Sequence, residues 1–313
     1  HTKPLQPYSD VLNIYTAEGI CRMAVPFFFA VSGMFLYQKL ERTTEWLQIF
    51  RICIRQSGKN LRMYLSWSIV YWTIGVIREG TLHWKFVIEQ IRLFFCDASV
   101  YHFWYLIALG YGIPLMGIFF RWNRKWLIAL CTAPWLYRCM WFVYRWIPGG
   151  DNIPWVTTYC EALRNTLTCA VPMMTIGILC WQDHGKKSVR YWRKWVIICL
   201  AMNILELTAL FTLSPQKIHF EYLLTMPGLT YCFVNWLLTL EFRFENRMIP
   251  KLLRVSSIWI YCSHVAFIVI FGWFHSSLGF CRFAVVTGSL AISTIFYALV
   301  KCRLGKRGKT KGI

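Results

Sequence analysis

The chain has 313 residues, of which 57% are apolar and 15% charged, with a mean hydropathy of +0.43 and a formal net charge of +20. Soluble globular domains carry about 25% charged residues, so this composition excludes an ordinary soluble enzyme, a disordered chain and a disulfide scaffold, and predicts an all-α, polytopic transmembrane helical bundle. The positive charge comes with no RNP, helix-turn-helix or zinc-finger pattern, so it reads as topogenic charge at a bilayer surface and not as a nucleic-acid footprint.

In chain order, His1–Arg22 precedes a first apolar stretch at 23–40. Further stretches follow at 63–78, 101–120, 126–146, 162–181, 195–213, 222–241, 255–274 and 282–300. A bilayer core needs about 20 mostly apolar residues per helix, so these are nine expected spans. Residues 41–62 form a basic amphipathic stretch with Trp46, Leu47, Ile49, Phe50, Ile52 and Ile54 as apolar members. It reads as a cytoplasmic surface helix on anionic lipid, or as a basic entry for a phosphorylated cytosolic ligand. Residues 84–96 are too short to cross and predict an interfacial helix bearing Lys85, Glu89 and Arg92. No repeat, low-complexity segment or linker divides the chain, which reads as one membrane domain over 1–313 with a basic tail at 301–313.

Lys and Arg alternate between two sets of connections. Residues 38–62, 121–125, 182–194, 242–254 and 301–313 hold six, three, five, four and six; residues 78–100, 147–160, 214–220 and 275–282 hold three, none, one and one. The positive-inside rule puts the first set, with the C-terminal tail, in the cytoplasm of a multi-pass plasma-membrane protein. Trp84, Trp122, Trp126, Trp146, Trp155, Trp181 and Trp195 mark span ends, as interface anchors do. The 13 cysteines are scattered without a CxxC pair, so zinc and redox motifs are absent from the sequence.

Ionisable groups inside spans are costly and point to function or to a buried pair. Arg138 falls near the middle of 126–146, Glu206 inside 195–213 and His264 inside 255–274, with Arg22 just before the first span. Arg138 and Glu206 are candidates for a buried ion pair. His264 reads as a packing histidine or as a cavity-lining one. Ser32-Gly33 and Gly110-Tyr111-Gly112 read first as helix-packing positions. Signatures of soluble enzymes, such as GxSxG, the P-loop and HExxH, are missing from the sequence.

The run Arg22-Met-Ala-Val-Pro-Phe-Phe-Phe-Ala-Val-Ser32-Gly33-Met-Phe-Leu36 resembles the second-helix signature of the acyltransferase 3 family of integral membrane acyltransferases. Further resemblances follow in order: His1 before that signature, Lys59-Asn-Leu-Arg62 at the entry to the third helix, His102-Phe-Trp-Tyr105-Leu, Arg164-Asn165 ahead of Pro172 and Gly177, and Ser256–His264 late in the chain. Within the family the chain is similar to the membrane half of vancomycin-resistance-type membrane serine racemases. Lys59-x-x-Arg62 stands where the family has Arg-x-x-Arg, which keeps the charge at Lys59 and loses the planar fork.

The resemblance implies ten helices, the first of them lying before residue 1. It also implies transfer of an acyl group, acetyl foremost, from cytosolic acetyl-CoA to a hydroxyl of an extracytoplasmic or lipid-linked glycan. Acetyl-CoA enters as a substrate; no permanently bound cofactor and no metal is implied. His1 takes the role of base or acyl relay, Lys59 and Arg62 contact the donor phosphates, and Arg22, Tyr105, Arg138, Glu206 and His264 line the cavity. The other reading open to the sequence is a transporter of serine or another small polar solute. Uptake without acetyl-CoA dependence distinguishes it.

Overall fold

In the computed structural model the described residues are 9–79, 84–142, 160–213, 222–240, 248–274 and 287–297. Among them there are helices and turns and no strand. An α turn (Asp10–Asn13), a π turn (Ile14–Gly19) and a 3-10 turn (Ile20–Met23) lead into α1 (Ala24–Leu40). Then come α2 (Trp46–Glu79), α3 (Trp84–Cys96), α4 (Trp104–Phe119), α5 (Arg124–Phe142), α6 (Glu161–Asp183), α7 (Val189–Leu213), α8 (Met226–Thr239), α9 (Met248–Phe274) and α10 (287–297). Helix thus covers at least part of each of the nine expected spans, and residues 84–96, expected as an interfacial helix, form α3. By length and apolarity, four stretches suffice for a bilayer crossing: Val11–Leu40, Val87–Phe119, Glu161–Asp183 and Val189–Leu213; the second is interrupted between α3 and α4, where Val100 is extended. His1 and the tail 301–313 lie outside the described residues.

The chain forms two compact units, Tyr15–Leu240 with α1 to α8, and His1–Ile14 with Glu241–Ile313, which holds α9 and α10. In the second unit Trp259 stacks on Tyr297 with ring centres 4.3 Å apart and donates to Ser293 Oγ at 3.2 Å. The first unit is organised around α6, 83% of whose apolar window is buried, whereas only 17% of the α7 window is buried. In a membrane protein that contrast separates an axial helix from one that faces lipid.

α6 meets α1 backbone to backbone. A Cβ on Gly177 would lie 2.7 Å from the carbonyl carbon of Ala30, and one on Gly33 would lie 2.6 Å from that of Met174. Helices in lipid associate through such close approach at small residues. Thr166–Ala170 of α6 is π-helical and precedes Pro172; Thr166 and Thr168 hydroxyls donate to the carbonyls of Ala162 and Arg164 four residues back, which satisfies them inside the helix.

The helix α2 differs from expectation. The surface stretch 41–62 and the span 63–78 are one helix of 34 residues, about 51 Å long at 1.5 Å per residue. Its buried seam runs Ile49, Cys53, Ser57, Tyr64, Ser68 and Tyr71. The seam packs on α4: Gly117 lies against Cys53 and Ile49, Ser57 Oγ donates to Gly110 O at 2.6 Å, and Tyr71 meets Phe103 edge-on at 5.3 Å. The basic half therefore runs alongside the bundle instead of lying on its surface. Small and polar seam residues satisfy themselves against α4 and so mask the apolar periodicity.

Connections of the basic set meet at one end of this unit. Arg121 Nη2 donates to the carbonyls of Thr43 and Thr44 at 2.9 and 2.6 Å, Trp181 Nε1 donates to Glu41, and Arg124 grips Asp183 through two bonds of 3.1 and 2.7 Å. Connections of the poorly charged set contribute to the other end, where the Ser68 and Ser99 hydroxyls bond at 2.5 Å and Ser99 N donates to Tyr64 OH at 2.9 Å.

Candidate functional site

At the poorly charged end, the second-helix signature and the His102–Leu106 segment come together. Ser32 Oγ and Tyr105 OH lie 3.4 Å apart, with the Tyr105 ring 4.6 Å from Phe29 and 6.3 Å from Phe28. Gly33, next to Ser32, fixes α1 against α6, so the serine is set by a backbone contact and not by a flexible rotamer alone. The Arg22 guanidinium, on the 3-10 turn before α1, lies within electrostatic reach of the Tyr101 phenol. His102 is buried among aromatic rings, 4.1 Å from Phe103, 5.4 Å from Tyr71 and 5.5 Å from Tyr101.

A second cluster surrounds Arg138, which is 2% exposed. Its Nη2 donates to Asn165 Oδ1 and to Tyr222 OH, both at 2.9 Å, and the guanidinium sits 4.2 Å from the Tyr222 ring centre. Glu206, on α7, accepts from Leu224 N at 2.6 Å, Thr225 N at 2.9 Å and Thr225 Oγ1 at 2.6 Å. It thereby takes amides at the start of α8, where a negative charge also meets the positive end of the helix dipole. Trp135 Nε1 and Cys139 Sγ hold the carbonyls of Leu223 and Tyr222, and Asn203 donates to Thr225 Oγ1. Arg138 and Glu206 thus close two networks on the same 222–225 segment. The expected span 222–241 starts late, at Met226, because those four residues form this anchored turn.

Nearby, Arg164 donates to Glu161 at 2.5 Å, and Glu161 lies within electrostatic reach of the Asp97 carboxyl. Arg164 lies within electrostatic reach of Arg138.

Lys59 and Arg62 are exposed. At 100° per residue they share a face with Arg51 and Arg55, and with Ser66 and Thr73 further on, all of them exposed. This polar stripe lies opposite the buried seam and beside exposed Phe50, Ile54, Leu65 and Ile69. Its depth is set by α4: Ser57 and Leu61, which bracket Lys59 in sequence, both contact Gly110 at mid-helix. At the basic end, an open cleft of about 670 Å³ is lined by Tyr37, Thr43, Phe120, Arg121, Asn123 and Gln182, among others.

The expected site residues therefore fall at several places. Tyr105 and Arg22 belong to the poorly charged end, Arg138 and Glu206 to the 222–225 cluster, and Lys59 and Arg62 to the stripe. His264 belongs to the other unit, where its Nδ1 donates to Tyr261 O at 2.8 Å and to Ile260 O at 3.1 Å; that leaves Nε2 as the acceptor nitrogen of the neutral ring. His1 lies outside the described residues. Sequence reasoning took Ser32 as a packing residue and missed its hydroxyl contact with Tyr105, as well as Asn165 and Tyr222 as partners of Arg138. The Arg164-Asn165 pair ahead of Pro172 was the available signal.

Comparison with known proteins gives this arrangement a family. An amino-acid racemase of Enterococcus faecalis is 24% identical over 233 residues, 74% of this chain and 30% of that protein. A serine/alanine racemase of Enterococcus gallinarum is 24% identical over 272 residues, 84% of this chain and 38% of that protein. The chain therefore spans about a third of the length of these relatives. No solved structure matches it. A family model described as an acyltransferase domain matches residues 1–300, and with it the chain belongs to the acyltransferase 3 family of membrane proteins.

Proposed function

We propose that this chain moves an acyl group, acetyl in the simplest case, from acyl-CoA to a hydroxyl of a glycan or lipid-linked acceptor at the opposite membrane face. The basic end and the C-terminal tail face the cytoplasm of a plasma-membrane protein. The observation that carries this reading is the polar stripe of α2. A cation at the depth of the middle of a spanning helix is costly against acyl chains and is found facing protein or water-filled space. Four cations in line, Arg51, Arg55, Lys59 and Arg62, give such a space a lining that suits a multiply charged phosphate donor.

In the transfer, the thioester C–S bond of the donor breaks and an ester C–O bond to the acceptor forms. The acceptor hydroxyl gives its proton to a base, for which His1 is the proposed group, and the proton passes on to the leaving CoA sulfur. The carbonyl oxygen gathers charge on the way, and a hydroxyl such as that of Tyr105, with Arg22 toward the same end, is suited to stabilise it. A direct transfer and a relay through an acyl-His1 intermediate share this balance. The names of the relatives concern amino-acid racemisation and are compatible with a membrane portion doing separate chemistry.

The experiment is acyl transfer in proteoliposomes holding the chain with whatever precedes it in the natural protein, supplied with labelled acetyl-CoA on one side. Wild type should consume acetyl-CoA and label an acceptor, and His1→Ala should abolish both. Persisting transfer with His1→Ala removes His1 from the mechanism. Serine uptake without acetyl-CoA consumption replaces the reading with a transporter.

A further inference from the structure

We infer that the cavity at the basic end of α7 is a binding site for an anionic phospholipid, with the headgroup phosphate at Lys187 and an acyl chain along one stripe of α7. The cavity holds about 320 Å³ and is lined by Lys186, Lys187, Tyr191, Trp192, Trp195 and Tyr231, among others. That volume is at the small end of ligand sites and suits a headgroup better than a whole amphiphile. Its two lysines are not equivalent. Lys186 bonds Asp183 at 2.9 Å, and Asp183 also takes Arg124 and the Tyr231 hydroxyl. Among the described residues, the contact recorded for Lys187 is the face of Tyr191, with Nζ 5.5 Å from the ring centre. That contact orients the ammonium group and leaves its charge uncompensated.

The second observation is where the cavity leads. Tyr191 and Trp195 line it, and Ile198 and Met202 continue them at helical spacing, i, i+4, i+7 and i+11, on one face of α7. These four are 39%, 40%, 36% and 53% exposed, on the helix with the least buried window of those long enough to cross. Trp195 lies six residues into α7, about 9 Å along the axis, near the depth at which tryptophan anchors a headgroup boundary. A cavity with a lysine at one end and aromatic walls that open onto an apolar stripe matches the amphipathic form of a phospholipid. Arg190 and Lys194, which flank the stripe, add positive charge that favours negative headgroups.

Non-specific attraction to the positive end is separated from a site by moving the same charge change. Lys187→Glu alters the cavity, while Arg193→Glu alters an exposed position on the far face of α7. The chain is placed in nanodiscs of phosphatidylcholine with phosphatidylglycerol as the minor lipid. Retained lipid is counted by native mass spectrometry, with equal thermal stability in zwitterionic detergent as the check that each variant folds. Lys187→Glu should reduce retained phosphatidylglycerol at least about fivefold, and Arg193→Glu should leave it near wild type. A Met202→Asp variant, which charges the stripe without touching the cavity, should weaken retention as well. Equal loss with Lys187→Glu and Arg193→Glu, or full retention with Lys187→Glu, overturns the proposal. Displacement of the lipid from wild type by CoA reassigns the cavity to the acyl donor and overturns it too.

Discussion

Replacing Gly177 by alanine tests the contact on which the Ser32–Tyr105 geometry rests. The new Cβ would lie 2.7 Å from Ala30 C and 2.8 Å from Met34 N, and closer still to Ala30 O. Ordinary contacts begin near 3.4 Å, and every atom in the way is backbone of α1, so no side chain can rotate clear. The helices must separate along part of their length, and overpacking of this kind costs about 1–3 kcal/mol, here about 3 because both walls are backbone. Two other glycines calibrate the assay. Gly58→Ala meets nothing within 4 Å and should gain about 0.5–1 kcal/mol, as alanine does over glycine inside a helix. Gly112→Ala would sit 3.3 Å from Met174 Sδ, a flexible side chain, and should come out near neutral. Reversible unfolding in mixed micelles, followed by tryptophan fluorescence, gives the three values. If Gly177→Ala is as stable as Gly58→Ala, α1 and α6 do not touch as described and the placement of Ser32 falls with them.

Glu206→Gln keeps one acceptor oxygen and turns an amide NH2 toward a backbone N–H. It should destabilise by about 1.5–3 kcal/mol, the range for charge-assisted bonds, in the same unfolding assay. Lys59→Glu combined with Arg62→Glu should raise KM for acetyl-CoA at least about tenfold through lost charge pairing, while Lys59→Arg should leave it unchanged or lower. An unaltered KM with both charges reversed would show that the stripe does not meet the donor. Tyr105→Phe removes one hydroxyl whose described partner is 3.4 Å away. Stability should therefore change by less than about 1 kcal/mol, while kcat should fall at least about tenfold if the phenol serves the transition state; measuring both distinguishes a chemical role from a packing one.

The sequence disclosed most of the helices because a lipid solvent leaves a plain record in composition. The stretch 23–40 became Ala24–Leu40, and 162–181 became Glu161–Asp183. The charge alternation correctly grouped the connections that meet through Arg121, Arg124 and Trp181. It failed at α2, where Ser57, Ser68 and Tyr64 occupy the buried seam. Such residues pack well only against a particular neighbour, so no periodicity of apolar side chains announces them. Arg138 and Glu206 were recognisable as costly, but their partners Asn165, Tyr222 and Thr225 are 27, 84 and 19 residues away along the chain. The Ser32–Tyr105 contact spans 73 residues and depends on the crossing of α1 with its neighbours. Local signals carry no information about such meetings.

The cationic face of α2 also bears on how the protein is made. Each Lys or Arg near the centre of a segment adds about 2.5–3.5 kcal/mol to its transfer from the translocon into lipid, and α2 has four in its first seventeen residues. Left to itself, that part of the segment favours the aqueous exit. The seam residues beside those cations, Ile49, Cys53 and Ser57, gain their partners Gly117 and Gly110 only after α4 has been synthesised, more than fifty residues later in the chain. Burial of this region is therefore a cooperative event, with the first half of α2 settling only when a later helix supplies the surface that draws it in.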